Sequence, residues 1–352
     1  MRFLTFYESE STMQNRMLTN MLPLLVLAAA ATVLVAKVPT VAAKELKLAH
    51  FMPTVHTLHQ QVFLPLAEDL SEATGGELTI KIYPSGALGK GPVQQYKRAV
   101  TGVADITFCI QSYSATIFPR SLIATQPGVT LSAEQGTRRL WEIYDTYLQE
   151  EYQAVKVLGI WVMSPTVLMS RSRPVSTVAD MAGMKIRISS PVESALIQAW
   201  GAVPVAMPIT ESYNALNTGV VDAVLIQPSA LYEPWNLAEP AQYVTANLPG
   251  PTSIVCLVMN RKSWEALTAE QQKTLDSLTG PEFSIKAAII WSRKDVAALE
   301  KSHHDDGVEA IDLSASKRET FENAARKAID AHLDQLEAEG IQSREIYEAF
   351  KR

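Results

Sequence analysis

The chain has 352 residues, long enough for two domains, and its 31 basic against 37 acidic residues give a net charge of −6. Hydrophobic residues at 47% and charged residues at 19% are ordinary for a globular protein. No basic run with interleaved aromatics occurs, which excludes a nucleic-acid footprint. An anionic ligand would therefore have to meet a local positive site rather than a global field.

Residues 1–43 read as an export signal. Arg16 precedes the apolar run Met21–Ala36, which Lys37 bounds, and Val41, Ala42 and Ala43 supply small residues at cleavage-site spacing. The run is about sixteen residues, short of the roughly 20 that a spanning helix needs. Cleavage after Ala43 is expected rather than a retained anchor, with Met13 and Met17 as alternative starts. Loss of this segment removes three bases (Arg2, Arg16, Lys37) and two acids (Glu8, Glu10), leaving 28 basic and 35 acidic residues, a net of −7.

Leu46–Phe51 alternates as a strand, and Pro53 and Thr54 open a helix expected to run to about Ala73. Gly75 and Gly76 turn into the strand Glu77–Tyr83; the glycine-rich loop Gly86–Pro92 leads to a helix Val93–Thr101 and the strand Asp105–Ile110. This alternation argues a parallel α/β layer. Ser132–Tyr152 is predicted helical and Val155–Met163 a strand, with Met163–Val167 crossing into a second domain. There, Val178–Asp222 reads strand, helix, strand, helix, strand. Gly183 turns into Met184–Ile188, Pro191 starts a helix, and Val203–Met207 is the next strand. Thr210 is expected to cap the helix that follows, and Gly219 to end it in the left-handed conformation. Thr252–Met259 returns to the first domain. Thr268 and Gln271 have capping-box spacing, and helical composition continues over Glu282–His304 and Ser316–Ala338.

Three pieces of the second domain form a specific set: Gly183-Met-Lys-Ile-Arg187, Gly201-Ala-Val-Pro204, and Glu211-Ser-Tyr-Asn-Ala-Leu-Asn-Thr-Gly-Val-Val-Asp222. With Tyr83-Pro-Ser ahead of Leu88-Gly89, Gly102, Asp105 and Phe118-Pro119, the chain resembles the solute receptors of tripartite ATP-independent periplasmic (TRAP) transporters over roughly Lys44 to Gly280. The resemblance implies a two-lobed α/β periplasmic solute-binding fold with hinge crossings and a helical C-terminus. Its first lobe would take residues 44–164 with about 253–290 returning to it. The second would take 165–252, with about 291–352 as a helical segment packing across both. It further implies a periplasmic, monomeric receptor that passes a small organic anion to separate small and large membrane subunits.

Arg187 is the leading site residue. A guanidinium offers a planar fork of donors that matches a carboxylate, which lysine cannot reproduce. In the family the arginine of this strand motif clamps the ligand carboxylate, and Arg187 occupies its place. Strand alternation puts it on the face of Lys185 and Ser189, opposite Ile186 and Ile188.

Other positions depart from the sialic-acid receptors by losing polarity. Val167 stands where they carry a second arginine, Phe51 where their first strand ends in polar residues, and Ile226 where they have an amide; Tyr113 stands near another arginine position. Phe51, Tyr113, Trp161, Ser190, Ile226 and Gln227 complete the candidate contacts, with core packing as the rival reading of the apolar ones. The expected ligand is an apolar or aromatic monocarboxylate, with Lys90 as the loop cation that would upset that expectation.

The Gly86–Pro92 loop lacks phosphate-loop spacing. His56 and His59 read as helix-surface residues, and His303–Asp306 as a solvated loop. Neither group has further ligands at metal spacing, so no metal or cofactor is expected. Cys109 and Cys256, in apolar strands, read as two separate buried thiols, although an oxidising compartment would permit a bridge. The rivals to a transport receptor are a ligand-sensing domain for a signalling partner and a secreted cleft enzyme; Gly-x-Ser-x-Gly, His-Glu-x-x-His and Cys-x-x-Cys motifs are absent.

Overall fold

The computed structural model describes residues 43–129 and 132–351, so the export signal expected over residues 1–43 falls almost wholly outside the described residues. From Ala43 onward the chain forms a compact unit built on two sheets. The first carries β1 (Lys44–Ala49), β2 (Leu78–Tyr83), β3 (Ile106–Ile110), β4 (Val155–Val162) and a late strand, Ile254–Asn260. Its order is β2-β1-β3, then Ile254–Asn260, then β4. The pairings of β1 with β2 and β3 are parallel, whereas the late strand runs antiparallel to both its neighbours. It therefore divides the parallel layer from β4.

The second sheet holds β5 (Val167–Ser170), β6 (Lys185–Ile188), β7 (Val203–Ala206), β8 (Ala223–Ile226), β9 (Tyr243–Ala246), and, beyond β10 (the Ile254–Asn260 strand), β11 (Glu309–Asp312). Its order is β11-β9-β5-β8-β6-β7. Strand β6 pairs in parallel with β7 and β8, and β5 runs antiparallel to β8 and β9. Strands β5, β9 and β11 were not expected, and β11 falls between the helical stretches foreseen over Glu282–His304 and Ser316–Ala338. Four residues at a sheet edge give too few alternating positions to stand out from a helical surround.

The two crossings between sheets are hydrogen-bonded to each other. Met163 N–H donates to Ser253 O at 2.8 Å and Thr166 Oγ1 to Pro251 O at 2.9 Å. The Thr252 hydroxyl closes on Met163 O from the other side. Gly250 permits this approach, because a Cβ there would lie 2.2 Å from Thr166 Oγ1. The long helix Pro281–Ser302 is a third bridge. Its Ser284 Oγ accepts from Ile160 N in β4, and its Asp295 accepts from Ser229 N beyond β8. Farther on, Trp200 donates to Phe321 O in the helix Ala315–Ala338, and the terminal helix Ser343–Lys351 meets Arg139 through Phe350 O.

Several local expectations change. The helix expected from Pro53 becomes regular only at Leu64, after a wide turn over His59–Phe63. The helix expected over Ser132–Tyr152 stops at Glu142 and continues as irregular turns. Thr210 is not a cap: the helix begins at Ile209 with Pro208 before it, and Ile209 N–H donates to the Tyr113 hydroxyl. The Thr268–Gln271 capping box and the left-handed Gly219 are as expected.

Cys109 and Cys256 are a disulfide, not two thiols, with S–S 2.06 Å and Cα–Cα 5.2 Å. They lie 147 residues apart yet stand directly opposite in the antiparallel β3/β10 register. Hydrophobic periodicity within each strand carries no information about that register.

Candidate functional site

Strand β6 delivers Arg187. Ile186 and Ile188 point into the core of the second lobe and are fully buried, and Lys185 is exposed at the strand start. Arg187 is only 2% exposed, because its face meets the opposite lobe rather than water. Its Nε donates to Met207 O at 3.0 Å, Nη1 to Leu225 O at 3.4 Å, and Nη2 to the Tyr113 hydroxyl at 3.2 Å. A guanidinium has five N–H donors. One N–H on each terminal nitrogen therefore remains without a hydrogen bond among the described residues. That is the pair a carboxylate can take.

Tyr113 comes from the turn after β3 and reaches the second lobe. Its oxygen accepts from both Arg187 Nη2 and Ile209 N, the latter at 3.0 Å, so its own proton is left over. These groups form one wall of an interlobe cavity. The rest of the wall is mostly apolar: Phe51, Met52, Ile110, Met163, Ile209, Leu225, Ile226, Trp235 and Trp291. Phe51 stacks at 6.1 Å on Phe108 and tilts at 6.3 Å against Trp235.

Polar wall residues are mostly engaged elsewhere. Gln227 donates to Ser164 O and Ser253 Oγ, and Thr166 and Thr252 tie the crossings together. Glu193 is held by the Ser189 hydroxyl. Burial raises its carboxyl above the ordinary value, an effect that Ser189 and the nearby Arg187 charge partly offset.

Of the expected site residues, Phe51, Tyr113, Arg187, Ile226 and Gln227 meet on this wall. Trp161 and Ser190 do not. Trp161 is fully buried behind Phe108, at 5.8 Å between rings, and Ser190 accepts from Val192 N at the start of the next turn. Val167 is buried opposite Ile226 in the sheet, and Lys90 is exposed in its loop; neither lines the cavity. Gly89 of that loop leaves room for Arg98, which donates to Lys90 O and Gly91 O.

Sequence reasoning missed His56, Trp235, Trp291 and Glu193. His56 is 5% exposed and sits edge-on to Trp291, because it precedes the regular helix instead of lying on its outer face. Its Nδ1 accepts from Leu58 N–H. Burial, then His59 and Lys294, lower its pKa to about 4. Beside it His50 and His59 share a 2.9 Å contact between ring nitrogens, and burial lowers His50 to about 3. Among the described residues no group of His, Cys, Asp and Glu is arranged to hold a metal.

Comparison with known proteins places this architecture. The family described as bacterial extracellular solute-binding protein, family 7, matches residues 48–336. The outer membrane transporter protein TsaT of Comamonas testosteroni is 28% identical over 229 residues, 64% of this chain and 67% of its own length. The 2,3-diketo-L-gulonate-binding periplasmic protein YiaO of Escherichia coli K12 is 27% identical over 251 residues, 69% of this chain and 73% of its own. Among solved structures, a TRAP solute-binding protein of Bordetella bronchiseptica with bound (R)- and (S)-mandelate has a TM-score of 0.79 and 27% identity, over 88% of this chain and 98% of that one. A TRAP solute-binding protein of an unidentified marine microbe, specific for aromatic acid ligands and crystallised with 3-hydroxybenzoate, has a TM-score of 0.83 and 25% identity, over 88% and 97%.

Proposed function

The chain belongs to family 7 of the bacterial extracellular solute-binding proteins and is a TRAP transporter solute-binding subunit, not an enzyme; on that premise we propose that its ligand is an aromatic or otherwise apolar monocarboxylate. The observation that carries this reading is Arg187, a buried cation with two undirected N–H groups at the end of an apolar cavity. The carboxylate would take those two donors, and the ring would lie among Phe51, Ile226, Trp235 and Trp291. Removal of about 100 Å² of apolar ligand surface from water there would contribute about 2.5 kcal/mol. A sugar ring carries more hydroxyls than this wall has open polar groups, so most of them would lose water without gaining partners. The aromatic acids bound by the Bordetella and marine proteins support this choice.

In this reading the lobes are residues 44–164 with about 253–290, and 165–252 with the C-terminal segment, hinged at the paired crossings. The mature chain, freed of residues 1–43, acts as a monomer in the periplasm and hands its ligand to one small and one large membrane subunit. No described helix is long and apolar enough to cross a membrane.

A thermal-shift panel of benzoate, phenylacetate, mandelate, succinate and glucuronate tests the ligand class. A ligand at 100 times its Kd stabilises by about 2.7 kcal/mol. Aromatic monocarboxylates are expected to stabilise and the other two acids are not. In calorimetry, Arg187→Ala should weaken binding at least tenfold, since loss of a charged hydrogen bond costs about 1.5–3 kcal/mol. Arg187→Lys should also weaken it. Preference for succinate or glucuronate, or wild-type affinity in both variants, would overturn the reading.

A further inference from the structure

We propose that His56 reads a hydroxyl or carbonyl oxygen on the body of the bound carboxylate, so that the preferred ligand is an oxygen-substituted aromatic acid rather than a plain one. This rests on the monocarboxylate reading above and adds a second recognition point to it.

The cavity wall carries two kinds of polar group. Arg187 and Tyr113 are joined to one another at one place on it. Gln227, Thr166 and Thr252 are occupied by the crossings, and Glu193 by Ser189. His56 stands apart from both sets. It is 5% exposed and lines the cavity. The Leu58 N–H that points at Nδ1, 3.2 Å away, requires a lone pair there. A neutral ring then carries its proton on Nε2. That Nε2–H has no hydrogen bond among the described residues.

The imidazole ring is held on the wall by the Trp291 indole, edge to face at 5.3 Å, so it is a positioned donor in an apolar surround. Such a donor penalises a ligand that leaves it unpaired and rewards one that supplies an acceptor. The acceptor should be uncharged. The ring is held neutral by burial and by its neighbours, so it cannot neutralise a second carboxylate. Ring hydroxyls, an α-hydroxyl and an α-keto oxygen meet that description.

Calorimetry on matched pairs tests the proposal: benzoate against 3- and 4-hydroxybenzoate, and phenylacetate against mandelate and phenylglyoxylate. At least one oxygen-bearing probe should bind the wild type about tenfold more tightly than its parent. His56→Leu should abolish that preference, so that the parent acid and its oxygen-bearing partner bind the variant alike. His56→Gln, whose amide can still donate, should retain part of it, and circular dichroism would verify that both variants fold. Parents that bind while no oxygenated probe gains, or a preference that survives in His56→Leu, would overturn this inference alone. Failure of every aromatic monocarboxylate, parents included, would overturn the reading on which it rests as well.

Discussion

Replacing Tyr113 with Phe removes one oxygen and keeps the ring, and it tests whether that oxygen couples ligand binding to the joining of the lobes. The hydroxyl belongs to the first lobe and accepts from two donors of the second: Arg187 Nη2 at 3.2 Å and Ile209 N at 3.0 Å. The Ile209 amide opens a helix and has no partner within it. A neutral hydrogen bond contributes about 0.5–1.5 kcal/mol net and a charged one about 1.5–3. Together they give the joined lobes an advantage of about 2–4.5 kcal/mol, because water satisfies all three groups when the lobes part. Where the lobes rest apart without ligand, a ligand that requires them joined loses affinity by the same amount, and even the low end is about 30-fold. The remaining Tyr113 proton, free to meet the ligand carboxylate, adds to the loss. The assay is calorimetry with whichever aromatic acid binds the wild type, alongside small-angle scattering with and without ligand. Tyr113→Phe should bind at least 30-fold more weakly and need more ligand to reach the compact scattering profile. Wild-type affinity together with an unchanged scattering titration would refute the coupling.

Asp295, 2% exposed at the third bridge, has its pKa pushed up to about 6 by burial from an ordinary 3.8. The folded state thus holds a proton that the unfolded chain releases, and stability falls as pH rises through that window. About two pKa units correspond to about 3 kcal/mol as an upper figure. Asp295→Asn keeps an oxygen for Ser229 N–H, so its denaturation curves should lose this slope between about pH 4 and 6; parallel pH profiles for the two proteins would contradict it. The Cys109–Cys256 disulfide closes a 147-residue separation, for which the chain-entropy relation gives about 5 kcal/mol. Reduction, or a Cys109→Ala/Cys256→Ala double variant, should lower the denaturant midpoint clearly, and equal midpoints would exclude a stabilising bridge.

Arg187 was singled out in the sequence by the strand motif that resembles the TRAP receptors' carboxylate clamp, with residue chemistry and strand alternation as local support. Alternation separates it from Ile186 and Ile188 but cannot say whether its face meets solvent or another lobe. Only the fold makes it a 2%-exposed cleft cation. The same limit explains the rest. Trp161 and Phe108 look in sequence like Phe51, an aromatic in or beside a strand, and their packing against each other behind the wall follows from sheet geometry. Trp235 and Trp291 reach the cavity from a turn after β8 and from the third bridge, with no local pattern to mark them. Thr210 looked like a cap because capping is usually local, whereas here the acceptor for Ile209 N–H arrives from 96 residues away.

The inventory of charge around the cleft bears on ligand class more strongly than any single contact. Among the described residues lining it, Arg187 is the cation, Glu193 the acid, and His56 a ring held neutral by burial. Ionised Glu193 would offset much of the arginine's charge, although burial resists that ionisation and Arg187 favours it. A first carboxylate can still bind by direct hydrogen bonds to the two remaining N–H groups. A second would face Glu193 and apolar rings, with Lys90 and Lys294 exposed to solvent and outside the wall. Its desolvation would go uncompensated. Val167, at the place of the sialic-acid receptors' second arginine, pairs directly with the lining residue Ile226 and so shares its face of the sheet, where its apolar side chain supplies no cation. Under the proposed monocarboxylate reading, dicarboxylates would be rejected through that apolar position together with the rings around the cleft.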